Sequence, residues 1–290
     1  MTTKIAAAAG HWKLGGDLPV ARMGFGAMRL PVRDAEGAPN ERGDALAVLA
    51  RAAELGIDHI DTAAFYHQGG LAANELIKEA LHPYPDGLVI ATKVGPGRRP
   101  GDRYPTYELE AGELRGEVER NLAELGVDRL DLVYLRVGGR AEPDGAPIGE
   151  RFAVLAALRE EGLIRRLGVS HVTAAQLAEA QRIAPVAAVQ NRFDVTLPQD
   201  TGLMKTCERD SVAYVPYFPL GGFGLPDDER VAAVAARHEA TAAQVLLAGL
   251  LALSPAILAI PGTSSLAHLE ENAAAAGLVL TGEDMADLRR

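Results

Sequence analysis

The chain has 290 residues, with 29 Lys and Arg against 39 Asp and Glu, so its formal net charge is −10. Apolar residues make up 48% and charged residues 23%, which excludes a disordered chain, and the acidic balance argues against nucleic acid or an anionic membrane as the main partner. The single cysteine, Cys207, excludes an internal disulfide and any multi-cysteine metal centre, and it points to a reducing, cytoplasmic setting.

The opening MTTKIAAAAGHWKLGG lacks the apolar core of a signal peptide, and charges interrupt every run before the roughly 20 apolar residues of a membrane helix. From there, short β-branched runs alternate with helical segments. VARMGFG (20–26) is the first predicted strand. ALAVLARAAELG (45–56) follows with apolar positions three and four apart and Gly56 as its stop. DHIDTA (58–63) and LVIATKV (88–94) are the next strands, then the helix ELRGEVERNLAELG (113–126), stopped at Gly126. RLDLVYL (129–135) leads into the helix GERFAVLAALREEG (149–162), which stops at Gly162. RRLGVS (165–170) precedes TAAQLAEAQRIA (173–184), with Thr173 as N-cap. VAAVQNR (186–192), VAYVPYF (212–218) and AILAIPG (256–262) complete eight strands.

These runs are apolar on both faces, as buried parallel strands are. Eight strand–helix units over about 250 residues predict an α/β fold of the closed (β/α)8 TIM-barrel type. A doubly wound open sheet is the runner-up, since alternation alone does not close a barrel. No linker or composition break divides residues 1–290, so one domain is expected.

The polar residues of interest lie at strand ends. Asp61 closes HID, Tyr66 follows five residues later, and Lys93 lies inside the apolar strand IATKVG. A lysine there needs a partner, because burying an ammonium is costly. Asp61 serves if the two strands are neighbours. A purely structural ion pair is one reading, and a Schiff-base lysine of an aldolase is another. Tyr66 favours a third: a phenol beside an ammonium is a tunable acid, suited to protonating a developing alkoxide.

GIDHIDTAAFY, ATKVG, LGVDRLDLVYL, LGVSHV, VQNRF, PYFPLGG and IPGTSSLAHLEEN together resemble the aldo-keto reductase superfamily, in order, from about Arg22 to the C-terminus. The resemblance implies a (β/α)8 barrel that binds NADPH (NADP+) without a G-x-G-x-x-G motif and reduces a small-molecule aldehyde or ketone. It implies Tyr66 as proton donor, Lys93 as the cation beside it and Asp61 as the holder of Lys93. Arg136, in DLVYLRVGG, stands where the family usually has His. Arg accepts no proton, yet it donates hydrogen bonds and pairs with anions. Arg136, together with GFGAMRL, EALHPYPDGLVIATKVG and YVPYFPLGGF, also resembles a subgroup of bacterial pyridoxal reductases. That likeness implies an aldehyde on a small polar heteroaromatic ring, with pyridoxal reduced to pyridoxine as its example and a ring phenolate for Arg136 to meet. Alternatives are a reductase of a secondary-metabolite carbonyl or imine, and a weakly catalytic, regulatory NADPH-binding barrel.

By the same resemblance Ser170, His171 and Gln190 hold the nicotinamide carboxamide, His171 replacing the usual Asn, and Tyr217 stacks on the ring. Phe218, Pro219, Leu220, Gly221 and Gly222 wrap the pyrophosphate, with Gly26 and Met28 beside them. Ile260, Pro261, Gly262, Thr263, Ser264 and His268 lead to the 2′-phosphate, and Glu271 and Asn272 reach the adenine. Two basic residues common in the family are replaced by Gly262 and His268, which weakens but does not reverse the preference for NADPH. Arg29, His67 and Arg136 are expected at the substrate. A hairpin at about 11–23, with Trp12, is expected to close the barrel bottom. Relatives carry a long C-terminal loop after TGEDMADLRR. Without it, specificity falls to the 95–105 and 137–148 loops and the GGFGLPDDER turn, in a more open pocket. A monomer is the default expectation. Arg98, Arg99 and Arg103 read as a solvated basic loop, Cys207 as inert, and the histidines show no metal-ligand spacing, so no metal is expected.

Overall fold

The computed structural model describes residues 5–34, 36–99, 102, 105–138, 143–196, 199–222 and 224–289. Seven strands stand side by side in chain order: β1 (Phe25–Gly26), β2 (His59–Asp61), β3 (Val89–Val94), β4 (Leu130–Arg136), β5 (Ile164–Ser170), β6 (Val186–Gln190) and β7 (Ala213–Tyr214). Every neighbouring pair is parallel.

The last predicted strand, AILAIPG, closes the ring irregularly. Ile257 bridges to Tyr214 and Ala259 to Met23, both parallel. The Leu258 amide donates to the Tyr214 carbonyl at 3.0 Å, and the Gly24 amide donates to the Ala259 carbonyl at 2.8 Å. The Arg22 guanidinium reinforces the seam by donating to the carbonyls of Leu251, Ser254 and Ile257. The seam is tight: a Cβ on Gly262 would lie 2.5 Å from the Gly26 carbonyl oxygen. The sheet is therefore a closed (β/α)8 barrel. Strand β7 is shorter than VAYVPYF because Pro216 has no N–H to donate, although Tyr217 N still reaches the Asn191 carbonyl at 2.9 Å.

Four of the helices fall on the predicted segments 45–56, 113–126, 149–162 and 173–184. The helices are α1 (Arg42–Glu54), α2 (Ala73–Leu81), α3 (Leu114–Leu125), α4 (Gly149–Glu160), α5 (Ala174–Ile183), α6 (Thr201–Arg209), α7 (Glu229–Arg237), α8 (Ala242–Leu253), α9 (Leu266–Ala274) and α10 (Gly282–Leu288). Gly126 ends α3 in the left-handed region, φ +68°, where a side chain would be strained. Thr173 caps α5 in a reciprocal box with Gln176. Two helices, α7 and α8, lie between β7 and the closing segment.

A hairpin of His11–Leu14 and Leu18–Ala21 precedes the barrel. Its Leu14, Leu18 and Val20 pack with Val89, Leu132, Tyr134 and Leu258 inside the barrel, at the mouth where the strands begin. Both faces of the strands are thus buried, one against this interior and one against the helices, which is why the runs are continuously apolar. Gly168 of β5 makes room for the Tyr134 ring; a Cβ there would lie 2.5 Å from the ring and 2.9 Å from the Ala188 carbonyl oxygen. Gly168→Ala is expected to lower stability by about 1–3 kcal/mol through overpacking, measured by urea denaturation.

Candidate active site

A cleft of about 640 Å³ opens where the strands end, the mouth opposite the hairpin. Strand ends aim successive side chains at it. Asp61 ends β2, Arg136 ends β4, Gln190 ends β6, and Lys93 is one residue from the end of β3. All four line the cleft, as do Gly26 at the end of β1, Met28 and Arg29 after it, and Tyr66 and His67 after β2.

Lys93 and Asp61 are both buried, 2% and 4% exposed, and form an ion pair. The ammonium also donates to the Thr62 carbonyl at 3.0 Å and lies 5.0 Å from the centre of the Tyr66 ring. Burial alone pushes the Lys93 ammonium down, but the Asp61 carboxylate and the Tyr66 phenol beside it carry the balance upward, so it stays charged. A second tyrosine is near: Tyr134 of β4 pairs with Lys93 in register. It is 1% exposed beneath the pair, and burial, then the Asp61 charge, hold its phenol well above the usual range. Tyr66, half-buried on the cleft wall, is the tyrosine that a ligand can reach.

Gln190 lines the cleft, and its Nε2 donates to Asp61 Oδ2 at 2.7 Å. Asp61 thus has one oxygen on Lys93 and the other on Gln190. Ser170, at the end of β5, is fully buried, and among the described residues its Oγ has no hydrogen-bond partner. A buried hydroxyl left so calls for a partner such as an ordered water or a bound polar group. His171, next in the chain, takes φ +61° and meets the Tyr217 hydroxyl through Nδ1 at 2.8 Å. Arg136 holds its guanidinium 5.2 Å from the centre of the Tyr217 ring, and among the described residues it pairs with no carboxylate.

Tyr217, Phe218, Pro219, Leu220 and Gly222 form the next stretch of wall, with Gly221 in the same turn, its amide on the Phe218 carbonyl at 2.9 Å. Ile260, Pro261 and Gly262 complete the wall. Thr263, Ser264, His268, Glu271 and Asn272 do not line the cleft. They continue from it through the turn before α9 and along that helix. Thr263 and Asn272 are buried and His268 is exposed.

Several lining residues were not singled out from the sequence. Glu108 and Tyr107 pair as a two-residue ladder with Pro96–Gly97 and roof one side. Glu108 accepts from the Gly138 amide and from Arg151, tying that roof to the chain just beyond Arg136. Such contacts carry no local signal, because the partners are 30 and 43 residues apart. Arg98 departs from the solvated-loop expectation: it is half-buried and donates to the Phe65 and His67 carbonyls. Arg99 remains exposed over the Tyr107 ring, and Arg103 lies outside the described residues. His67 is exposed on the rim; partial burial, then the Arg98 and Arg120 charges, push its imidazole down. Cys207 is buried in α6, and burial, then Asp200 and Asp210, push its thiol up to about 12.

A family model described as the aldo/keto reductase family matches residues 22–290. The chain belongs to that family. As an aldo/keto reductase it is an oxidoreductase, and its relatives cover nearly its whole length. Pyridoxine 4-dehydrogenase of Escherichia coli K12 is 43% identical over 275 residues, 94% of this chain and 95% of that protein. A crystal structure of a thermostable aldo-keto reductase in complex with the inhibitor epalrestat is 28% identical with a TM-score of 0.80, covering 96% of this chain and 98% of that one. An aldo/keto reductase of Klebsiella pneumoniae in complex with NADP and acetate is 28% identical with a TM-score of 0.77, covering 96% and 93%.

Two outcomes follow from the buried charges. Asp61→Asn leaves a sequestered ammonium without its counter-ion and is expected to cost about 3–5 kcal/mol of stability; adding Lys93→Met should restore most of it, both read by urea denaturation. His59, at the start of β2, is 4% exposed, and among the described residues neither ring nitrogen makes a well-aligned hydrogen bond. Burial pushes its imidazole below 6.5 against the opposing pull of Asp58 and Asp61. Below that pH the unfolded chain therefore binds a proton that the folded chain refuses, and stability falls with falling pH. The expected slope is up to about 1.4 kcal/mol per pH unit, and His59→Leu should remove that component from a pH series of denaturation curves.

Proposed function

We propose that this aldo/keto reductase uses NADPH to reduce an aldehyde on a small polar ring, with pyridoxal as the substrate to be tried first. The observation that carries the reading is the buried Lys93–Asp61 pair held 5.0 Å from the centre of the Tyr66 ring at the floor of an open cleft. When bound, the dinucleotide supplies a hydride to the carbonyl carbon. Tyr66 then hands its phenolic proton to the carbonyl oxygen, and the Lys93 charge stabilises the phenolate left behind. Asp61 keeps Lys93 charged and aimed, and Gln190 keeps Asp61 aimed.

The Tyr217 ring on the cleft wall, with the buried Ser170 hydroxyl that has no hydrogen-bond partner among the described residues, fits a nicotinamide, and Gly222, whose Cβ position meets nothing within 4 Å, leaves room for a phosphate to approach the backbone. On this reading Thr263, Ser264, His268, Glu271 and Asn272, running away from the cleft, carry the adenosine end.

Pyridoxal is supported by the 43% identity to pyridoxine 4-dehydrogenase, since oxidation of pyridoxine at its 4-hydroxymethyl carbon and reduction of pyridoxal are one reaction in two directions. It is also supported by Arg136, a cation on the cleft wall able to meet a ring phenolate. Arg136 cannot accept a proton, so Tyr66 is assigned the whole proton transfer.

The test is NADPH and NADH oxidation with a panel of carbonyls that includes pyridoxal. Tyr66→Phe is expected to lower kcat by about 10²–10⁴-fold while NADPH binding, followed by fluorescence, stays within twofold of wild type (~0.4 kcal/mol). Arg136→Ala is expected to raise the KM for pyridoxal more than that for an uncharged aldehyde. Turnover of pyridoxal by Tyr66→Phe at the wild-type rate would remove the phenol from the chemistry.

A further inference from the structure

We propose that Arg98 is a positioning residue for Tyr66, a clamp that holds the phenol against Lys93. The proposal rests on the role given to Tyr66 above. Tyr66 lies on the connection between β2 and α2, outside the barrel ladder. Its own backbone bonds are local, Tyr66 N to the Ala63 carbonyl and Ala73 N to the Tyr66 carbonyl, both 2.9 Å. Arg98 supplies what the ladder does not. Its Nη1 donates to the His67 carbonyl at 2.7 Å and to the Phe65 carbonyl at 3.3 Å, the residues on either side of Tyr66. Its Nε donates to the Asp102 carbonyl at 2.5 Å, which fixes the guanidinium itself.

The covalent path gives the clamp its meaning. Lys93 and Arg98 are five residues apart on one connected stretch, β3 followed by the ladder residues Pro96–Gly97. The same stretch therefore presents the ammonium to the Tyr66 ring and grips the backbone that carries the ring. Any displacement of the 62–68 connection relative to β3 has to break charge-assisted hydrogen bonds. A lysine would not do the same, because Nη1 reaches both carbonyls while a second, rigidly coplanar nitrogen, Nε, is held by Asp102, and an ammonium has only one nitrogen. Among the described residues Arg98 pairs with no side-chain carboxylate, and its hydrogen bonds go to these three carbonyls.

The experiment is a double-substitution cycle on the purified full chain, with pyridoxal and NADPH as the probes. Arg98→Ala is expected to lower kcat about 10- to 100-fold, the scale of a small misplacement of a reacting group, with both KM values and the melting temperature little changed. Arg98→Lys should recover only part of the loss. In a Tyr66→Phe background, Arg98→Ala should then have almost no further effect on kcat. Hydrogen–deuterium exchange should rise at the amides of 65–68 in Arg98→Ala and stay unchanged across β3, a measurement that needs no turnover. The clamp is overturned if Arg98→Ala lowers kcat by the same factor with and without the Tyr66 hydroxyl, if its effect is confined to KM, or if exchange at 65–68 does not change. A fully active Tyr66→Phe would instead overturn the reading of Tyr66 itself, so the two failures are told apart.

Discussion

The structure turns on one ion pair placed where water does not reach. Lys93 and Asp61 occupy neighbouring parallel strands and point to the same interior, and each is almost completely buried. An isolated ammonium or carboxylate there would lose several kcal/mol of hydration. The pair is tolerated because every direction is answered: Asp61 on Lys93, Gln190 on the other oxygen of Asp61, and the Thr62 carbonyl on Lys93. The same low dielectric that makes the pair costly makes its charge effective on a neighbouring phenol, since nothing screens it.

The outer face of the strands keeps that placement rigid. Residues alternate in and out along a strand, so Thr92 and Thr62, each next to a member of the pair, turn toward the helices. Thr62 donates to Asn74, Thr92 donates to Asn121, and Asn74 bridges to Asn121 and Glu124. This buried chain ties β2 and β3 to α2 and α3 immediately behind the charges. A second one serves the other side of the cleft. Asn191 holds both backbone groups of Val172, and Asp200 gathers Asn191 and the Tyr214 hydroxyl. The ends of β5, β6 and β7, and with them Ser170, Gln190 and Tyr217, are thereby set relative to one another. Fully satisfied polar chains of this kind specify one arrangement, because any other strands a buried polar group.

The charge around the cleft runs opposite to that of the whole molecule. The chain carries a net −10, yet Arg29, Arg98, Arg136 and Arg192 line the cleft. The carboxylates in the lining, Asp61 and Glu108, are engaged by Lys93 and Arg151. A local positive field inside an acidic protein focuses on the site, which suits an anionic dinucleotide.

Much of this was legible in the sequence. Continuous apolar runs separated by amphipathic segments with Gly126 or Thr173 at their ends are local properties, and local sterics and hydrogen bonding enforce them wherever the chain goes. A lysine inside IATKVG declares its need for a partner for the same reason, since no apolar environment accepts a bare ammonium. What the sequence left open was every relation set by distance in the chain. It did not reveal that Gln190 would turn to Asp61, that Glu108 would reach Gly138 and Arg151, or that Arg98 would grip Phe65 and His67 rather than solvent. Those pairings depend on barrel closure, on the tight seam at Gly26 and Gly262, and on where each loop lands once the strands are in register. Short-range chemistry decided which groups had to be satisfied; only the closed three-dimensional ring decided by whom, because hydrogen bonds and charges act over a few ångströms and take no account of how many residues lie between the partners.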